Sequence, residues 1–275
     1  APRNLANPHL PAPRFSRPMI RSLLLHEGKV TEGIEPSAWK AAAERQGAVL
    51  WVDVEDPKRK SVKALKDAFG LDDISLEDTM SFSLLPKLDS FADYAFIVIH
   101  ALGYDEASGE ITRRELDIFL GKNYLVTVHV DPIPVLDKVF KEAQRSDAVL
   151  ARGPALVGHI IFDRLIDLAY QMVSTFDDDI EELERRIAAG QLEGIVDWTL
   201  RTRRALLMMK KSIGPQRDVL NELARRDTPV VSRSAAVHFR DDYDRIARVY
   251  DQVDTNRELV AVASEAYRSM LSLRI

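Results

Sequence analysis

The spacing of apolar residues changes once along the chain, near residue 131. Before that point, short apolar runs bounded by turn residues predict strands, with short helices between them. After it, strand-like runs disappear and apolar residues recur with the 3.6-residue period of amphipathic helices. The chain is therefore predicted to be α+β, with a mixed α/β domain at residues 19–150 and a long helical domain at residues 151–275.

Five strands are predicted in the first domain. Two of them lie in the runs SLLLHEG and VLWVDVED, and the other three follow one another between residues 94 and 130. The turns DEASGE and GKN join these last three segments, as is typical of an antiparallel meander.

Two helices are predicted between the strands of the first domain. Asp56 as N-cap, Pro57 at the first helical position and Gly70 at the end delimit the first helix. The second is the short segment ISLEDTM at residues 74–80.

Three long helices are predicted in the second domain, after a short one that follows Pro132. The first covers residues 154–189 and the second covers residues 194–226, with an interruption at Gly214 and Pro215. The third is a stalk helix at about residues 229–275.

A narrow apolar seam with 3,4,3,4 spacing follows the stalk helix from Ile246 to Arg274. At 1.5 Å per residue, about 45 helical residues would extend roughly 70 Å, so we expect the stalk to project and to pack against copies of itself. The alternative is an antiparallel bundle with the two preceding helices of the same chain. The helix reaches Ile275 without a cap, and we expect the chain to be a piece of a longer protein.

Composition narrows the possible functions. The chain has 46% hydrophobic and 29% charged residues, and its net charge of -5 argues against a nucleic-acid partner. Cysteine is absent and the six histidines are scattered, which excludes thiolate metal sites and gives no paired-histidine motif. Residues 1–18 are rich in proline and are expected to form a flexible tail. No window approaches the about 18 apolar residues that a membrane span needs.

Enzyme signatures are missing from the sequence. It has no glycine-rich phosphate loop and no Gly-x-Ser-x-Gly elbow, and His26–Glu27 lacks the second histidine of a zinc-protease motif. An acid–base enzyme that uses Glu77 and Asp78 would lack a recognisable nucleophile. We therefore expect that the chain is not an enzyme.

Two groups of carboxylates could bind a hard cation. Glu77 and Asp78 end the SLED segment, and Asp241 and Asp244 lie three residues apart on one face of the stalk helix. Carboxylate oxygens are the ligands that Mg²⁺ and Ca²⁺ prefer. The alternative is that each of them is an ordinary surface acid.

Several motifs occur in an order that resembles the cytoplasmic part of the CorA family of magnesium channels. They include WVDVEDP, FGLDDISLEDTM, LDIFLGKNYLVTVH, HFRDDYDRI and MLSLRI, and the resemblance covers about residues 49–275. It implies an N-terminal α/β/α sandwich and long helices, the last of which continues into a pore-lining membrane helix. It also implies a homopentamer attached to the cytoplasmic face of the cell membrane through transmembrane helices that this chain lacks.

The same resemblance implies where ions bind. The family's Glu-Asp pair matches Glu77 and Asp78, and its Arg-Asp-x-Tyr-Asp motif places acids at Asp241 and Asp244. Asp167 matches a further contributing acid, with an alignment that is ambiguous by one residue. In the family these faces meet between adjacent subunits, where Mg²⁺, or Co²⁺ or Ni²⁺ in its place, binds as a regulatory ion.

The resulting hypothesis is an ion-sensing and gating domain, in which divalent ions between subunits hold the closed state. Two alternatives remain open. One is the corresponding domain of a zinc transporter of the ZntB type, with Zn²⁺ as the ion. The other is a soluble, oligomeric helical scaffold that never contacts a membrane.

Overall fold

The strands form one seven-stranded sheet. The computed structural model describes residues 19–83, 85–105, 108–225 and 228–272, so the expected tail at residues 1–18 and the end at Ile275 lie outside the described residues. The strands are Met19–His26 (β1), Lys29–Glu32 (β2), Val49–Glu55 (β3), Lys87–Ser90 (β4), Tyr94–Asp105 (β5), Glu110–Gly121 (β6) and Tyr124–His129 (β7).

The sheet is mixed, with the order β2-β1-β3-β7-β6-β5-β4. Strands β3 and β7 pair in parallel and all other neighbours pair antiparallel. Strands β5, β6 and β7 form the predicted meander, which is confirmed. The two four-residue strands, β2 and β4, are not predicted from the sequence, because runs this short carry too little alternation to stand out from the neighbouring turns.

Helices cover both faces of the sheet. They are Trp39–Ala43 (α1), Arg59–Phe69 (α2), Asp73–Asp78 (α3), Pro134–Arg145 (α4), Pro154–Ala188 (α5), Ile195–Arg225 (α6) and Arg233–Ser272 (α7). On one face, Leu65 and Leu76 from α2 and α3 pack with Phe96 and Val128 of the sheet. On the other face, Phe140 of α4 and residues of the long helices share a core with the sheet. The α+β class and the sandwich are confirmed.

The predicted start of α2 is two residues too early. Its N-cap is Lys58 rather than Asp56, and the Ser61 hydroxyl accepts a hydrogen bond from the Lys58 N–H at 2.8 Å. Asp56 instead has a φ of 52°, and its N–H donates to the carbonyl of His129 at 2.8 Å. This bond extends the β3–β7 pairing by one residue, so the helix cannot begin there. Gly70 ends the helix in the left-handed conformation, as predicted.

Helix α6 is continuous, and the predicted interruption at Gly214 and Pro215 is wrong. Proline removes one backbone hydrogen bond from a helix interior. Here the neighbouring Ile213 and Gln216 are buried, so packing holds the helix on either side of the proline. Gly214 lies beneath the Tyr250 ring, and a Cβ atom at this position would lie 3.2 Å from a ring carbon.

The seam of α7 packs within the chain, so the expectation that it mainly contacts other copies is wrong. Its apolar members Ile246, Val249, Val253 and Val260 are each at most 3% exposed. Helices α5 and α6 cover the seam along most of its length. The end of α5 and the start of α6 both pack near Ala263, towards the end of α7. The intrachain bundle is therefore the correct alternative, with α6 antiparallel and α5 parallel to α7.

The largest hydrophobic core includes residues from both sides of residue 150, from Leu23 in β1 to Val260 in α7. The division of the chain at residue 150 stays a prediction. Within the described ranges, no helix has both the length and the apolar character needed to cross a membrane.

Candidate metal-binding site

Helix α3 presents the first predicted acid pair at the edge of the sheet. The Asp72 carboxylate caps the helix by accepting a hydrogen bond from the N–H of Ile74 at 2.9 Å. Leu76 is buried and anchors the helix on the core. At the C-terminal end, Glu77 is exposed while Asp78 is half-buried.

Lys87 of β4 neutralises Asp78. Its ammonium nitrogen lies 2.7 Å from Asp78 Oδ2 and 2.8 Å from Asp89 Oδ2, so one cation bridges two carboxylates. It also lies 5.3 Å from the centre of the Phe96 ring. Burial lowers the pKa of Lys87, but the hydrogen bonds to the two carboxylates outweigh that effect and raise it.

Two further acids lie close to Asp78 on β6. Burial raises the pKa of Glu115 to about 7, and the charge of Asp78 adds to this rise. Burial, together with the neighbouring Glu115, also raises the pKa of Asp117 well above its usual range. The Ser83 N–H donates to Glu115, and both acids line an open cavity of about 520 Å³. Burial therefore disfavours the charged form of both acids in this wall of the cavity.

The second predicted acid pair lies on the outward face of α7. Asp241 and Asp244 are exposed and, in the part of the chain that the structure describes, neither carboxylate takes part in a hydrogen bond or an ion pair. Asp242, between them, points inward and is bonded to His159 of α5. Asp241 and Asp244 thus present two carboxylates to solvent that make no direct ion pair, although the exposed Arg240 and Arg248 lie one helical turn from Asp244 on the same face.

Asp167 lies in a different environment. It is on α5, where it and Asp163 both accept hydrogen bonds from the guanidinium of Arg245 on α7. The pair of acids is therefore compensated within one chain. Asp167 stays a prediction as a metal ligand, and it would have to leave Arg245 in order to bind an ion.

The five predicted acids form three separate groups in one chain. No hydrogen bond or ion pair joins Glu77 or Asp78 to Asp241 or Asp244 among the described residues. Over the same ranges, no group of three or more histidine and acidic side chains is arranged to hold a metal ion. None of these five acids therefore belongs to a cluster of three or more possible metal ligands among the described residues.

The counter-ions of these acids are not predicted from the sequence. Lys87 is nine residues from Asp78, and Arg245 is 78 residues from Asp167. One local signal exists, because Lys87 and Asp89 alternate on a strand and so share a face. No comparable signal links α5 to α7.

Comparison with known proteins gives consistent matches. A family model described as CorA-like Mg²⁺ transporter protein matches residues 46–275. The cobalt/magnesium transport protein CorA of Thermotoga maritima is 26% identical over 224 residues, which are 81% of this chain and 64% of that protein. The zinc transport protein ZntB of Photorhabdus laumondii is 22% identical over 223 residues, 81% of this chain and 67% of that protein.

A solved structure supports the fold. The soluble domain of CorA from Methanocaldococcus jannaschii superposes with a TM-score of 0.76 at 23% identity, covering 92% of this chain and 97% of that chain. The CorA and ZntB relatives are both named as transport proteins, in agreement with the expectation that this chain is not an enzyme.

Proposed function

The chain belongs to the family of CorA-like Mg²⁺ transporters, and we propose that it is the ion-sensing and gating part of a divalent-cation channel. In this proposal, copies of the chain form a ring, a homopentamer in the complete channel, on the cytoplasmic face of the membrane. The ion that they sense is Mg²⁺, with Co²⁺ or Ni²⁺ as substitutes.

The sensing site lies between two copies of the chain. Glu77 and Asp78 on α3 of one copy face Asp241 and Asp244 on α7 of the next. The observation that carries this proposal is the exposed acid pair on α7, neither member of which makes a direct ion pair among the described residues of its own chain. Hard divalent cations take six or more oxygen ligands, so an ion at this position gains from acids of both copies and from water.

Electrostatic repulsion links ion binding to gating. Carboxylates on two facing surfaces repel one another unless a cation lies between them. A bound ion therefore stabilises the assembled, closed arrangement, and its loss at low internal Mg²⁺ favours separation of the copies and opening of the pore. The ion shifts the equilibrium only by its difference in affinity for the two arrangements.

Lys87 sets the concentration at which the ion binds. Its ammonium bridges Asp78 and Asp89 in the single chain, so a divalent cation must displace it to reach Asp78. This competition keeps the site empty at low ion concentration. It also prevents Asp78 from remaining an isolated, half-buried negative charge when no ion is bound.

Zinc transport is the second candidate. The similarity to ZntB proteins favours it, since relatives named for either metal cover about the same share of the chain. The same acids would then respond to Zn²⁺. A helical scaffold that works without a membrane is a weaker proposal, because the α7 seam on which it depends is covered within the chain.

The proposal is tested in the channel that contains this chain. We expect Asp78→Asn and Asp241→Asn to raise the internal Mg²⁺ concentration that closes half of the channels by about tenfold, which corresponds to ~1.4 kcal/mol of lost ion binding. Patch-clamp recording with controlled internal Mg²⁺ measures this concentration. Asp251→Asn is the matched control, because Asp251 is another exposed acid on α7. Unchanged Mg²⁺ inhibition in both test variants would refute the sensing role.

A further inference from the structure

A partly buried histidine and a buried aspartate link α5 to α7 on the inward side of the exposed acids. Nδ1 of His159 lies 2.7 Å from Oδ2 of Asp242, and this is the one hydrogen bond of the His159 ring among the described residues. Asp242 is 1% exposed. The exposed acids Asp241 and Asp244 flank it on the same helix, but they point outward.

The buried carboxylate fixes the orientation of the imidazole. A carboxylate at Nδ1 holds the ring hydrogen on that nitrogen, which leaves the lone pair of Nε2 available. Metal-binding histidines usually have such a partner on the ring nitrogen that does not contact the metal. His159 and Asp242 therefore have the arrangement of a metal ligand and its supporting carboxylate.

The hydrogen bond to His159 satisfies only one oxygen of Asp242. The other oxygen, Oδ1, is buried and has no hydrogen-bond partner within the described residues. A cation bound to the other side of the His159 ring would place positive charge close to this carboxylate.

A second histidine lies beside the first. His238 precedes Asp242 by one helical turn, and its ring centre is 4.9 Å from that of His159. Two imidazoles that bind one tetrahedral metal ion at about 2 Å have ring centres about 5 Å apart. His238 is partly exposed, so its ring can rotate towards an ion that approaches from solvent.

We propose that His159 and His238 form a binding site for a transition-metal ion such as Zn²⁺, Co²⁺ or Ni²⁺, in which Asp242 orients His159. Imidazole nitrogens suit these metals, whereas Mg²⁺ prefers oxygen ligands. Since no group of three acidic or histidine ligands is arranged around one ion in the described ranges, water completes the coordination. The site lies in a single chain, so it needs neither the assembly nor the acids of the sensing site.

Co²⁺ absorption tests the site directly. Titration of the tag-free, 275-residue chain with Co²⁺, with Mg²⁺ in excess to occupy the acids of the sensing site, should produce visible d–d bands that saturate at one ion per chain. His238→Ala should weaken binding at least tenfold, and so should His159→Gln, which keeps a side-chain N–H for Asp242. Asp242→Asn should weaken binding about tenfold, the effect expected when a supporting carboxylate is lost. Excess Mg²⁺ should leave the bands in place.

Two matched controls separate the histidine site from other binding. His26→Ala removes a histidine of β1, and Asp78→Asn removes the central acid of the sensing site; both should leave the bands unchanged. The proposal is overturned if no bands appear, if His238→Ala binds Co²⁺ as tightly as the unaltered chain, or if Mg²⁺ or Asp78→Asn abolishes the bands. Circular dichroism checks that each variant is folded. If His159→Gln does not fold, His238→Ala alone carries the test, because His238 is partly exposed.

Discussion

At the scale of single residues, Lys87 controls the charge around Asp78, because its ammonium bridges Asp78 and Asp89. We expect Lys87→Met to free both carboxylates and to lower the Mg²⁺ concentration for half-closure about fivefold, equivalent to the ~1 kcal/mol of an exposed ion pair. Patch-clamp recording measures this concentration. Lys66→Met is the control, since it removes the comparable pair with Asp73. A higher Mg²⁺ requirement in Lys87→Met would contradict the competition between the ammonium and the ion.

Glu115 predicts a dependence of stability on pH that is opposite to that of most acids. Its pKa rises from an ordinary 4.5 to about 7 in the folded chain, so the folded state binds more protons than the unfolded state between these values. The free energy of unfolding should therefore fall as pH rises from 5 to 8. The full shift corresponds to ~3 kcal/mol, which solvent screening of the half-buried side chain reduces to about 1–2 kcal/mol.

Urea unfolding at pH 5 and pH 8 measures the contribution of Glu115. Glu115→Gln should reduce the loss of stability between the two pH values by that amount, because glutamine cannot ionise. Glu110→Gln, on the same strand at an exposed position, should leave the loss unchanged. Equal pH dependence in Glu115→Gln and the unaltered chain would show that Glu115 ionises in the ordinary range.

At the scale of elements, the sequence predicts the type of each long segment but not its partners. The apolar runs of β5 to β7, the turns between them and the helical period of α5 and α7 are local features, which are visible in the sequence. The sequence does not show which surface covers the α7 seam, because a stripe of apolar residues packs equally well against another copy or against α5 and α6. Pro215 is a second example, because the packing of α6 overrides the local tendency of proline to break a helix. Motifs locate the acids, whereas their cations Lys87 and Arg245 come from other elements.

Because the α7 seam is buried within one chain, a cavity made in it should lower the free energy of unfolding of the single chain. Ile246→Ala should lower the free energy of unfolding by about 2–4 kcal/mol, because Ile246 is buried between α7 and its neighbours. Denaturant titration at two protein concentrations tenfold apart tests this, and the loss should be the same at both. Val262→Ala changes an exposed residue of the same helix and should cost less than about 0.5 kcal/mol. A loss that varies with concentration would indicate a seam between copies.

At the scale of the whole molecule, the folded chain combines a covered seam with a net negative charge. A net charge of -5 on each copy opposes assembly, and the exposed Asp241 and Asp244 place part of that charge on α7. Under the proposed function, association of copies therefore depends on ions rather than on the seam. Monovalent salt can only screen this repulsion, whereas a divalent ion can also bind carboxylates of two copies at once.

This distinction leads to a prediction for the chain in solution. Sedimentation velocity should show larger species in millimolar Mg²⁺ than in KCl of the same ionic strength, because the acids of two copies bind the ion together. Asp241→Asn combined with Asp244→Asn should abolish the difference between the two salts, while Asp251→Asn should preserve it. If KCl and Mg²⁺ act equally on the unaltered chain, screening accounts for the association and no ion lies between the copies. If the paired variant still responds to Mg²⁺ in full, the ion binds elsewhere on the surface, and the α7 acids lose their proposed role in assembly.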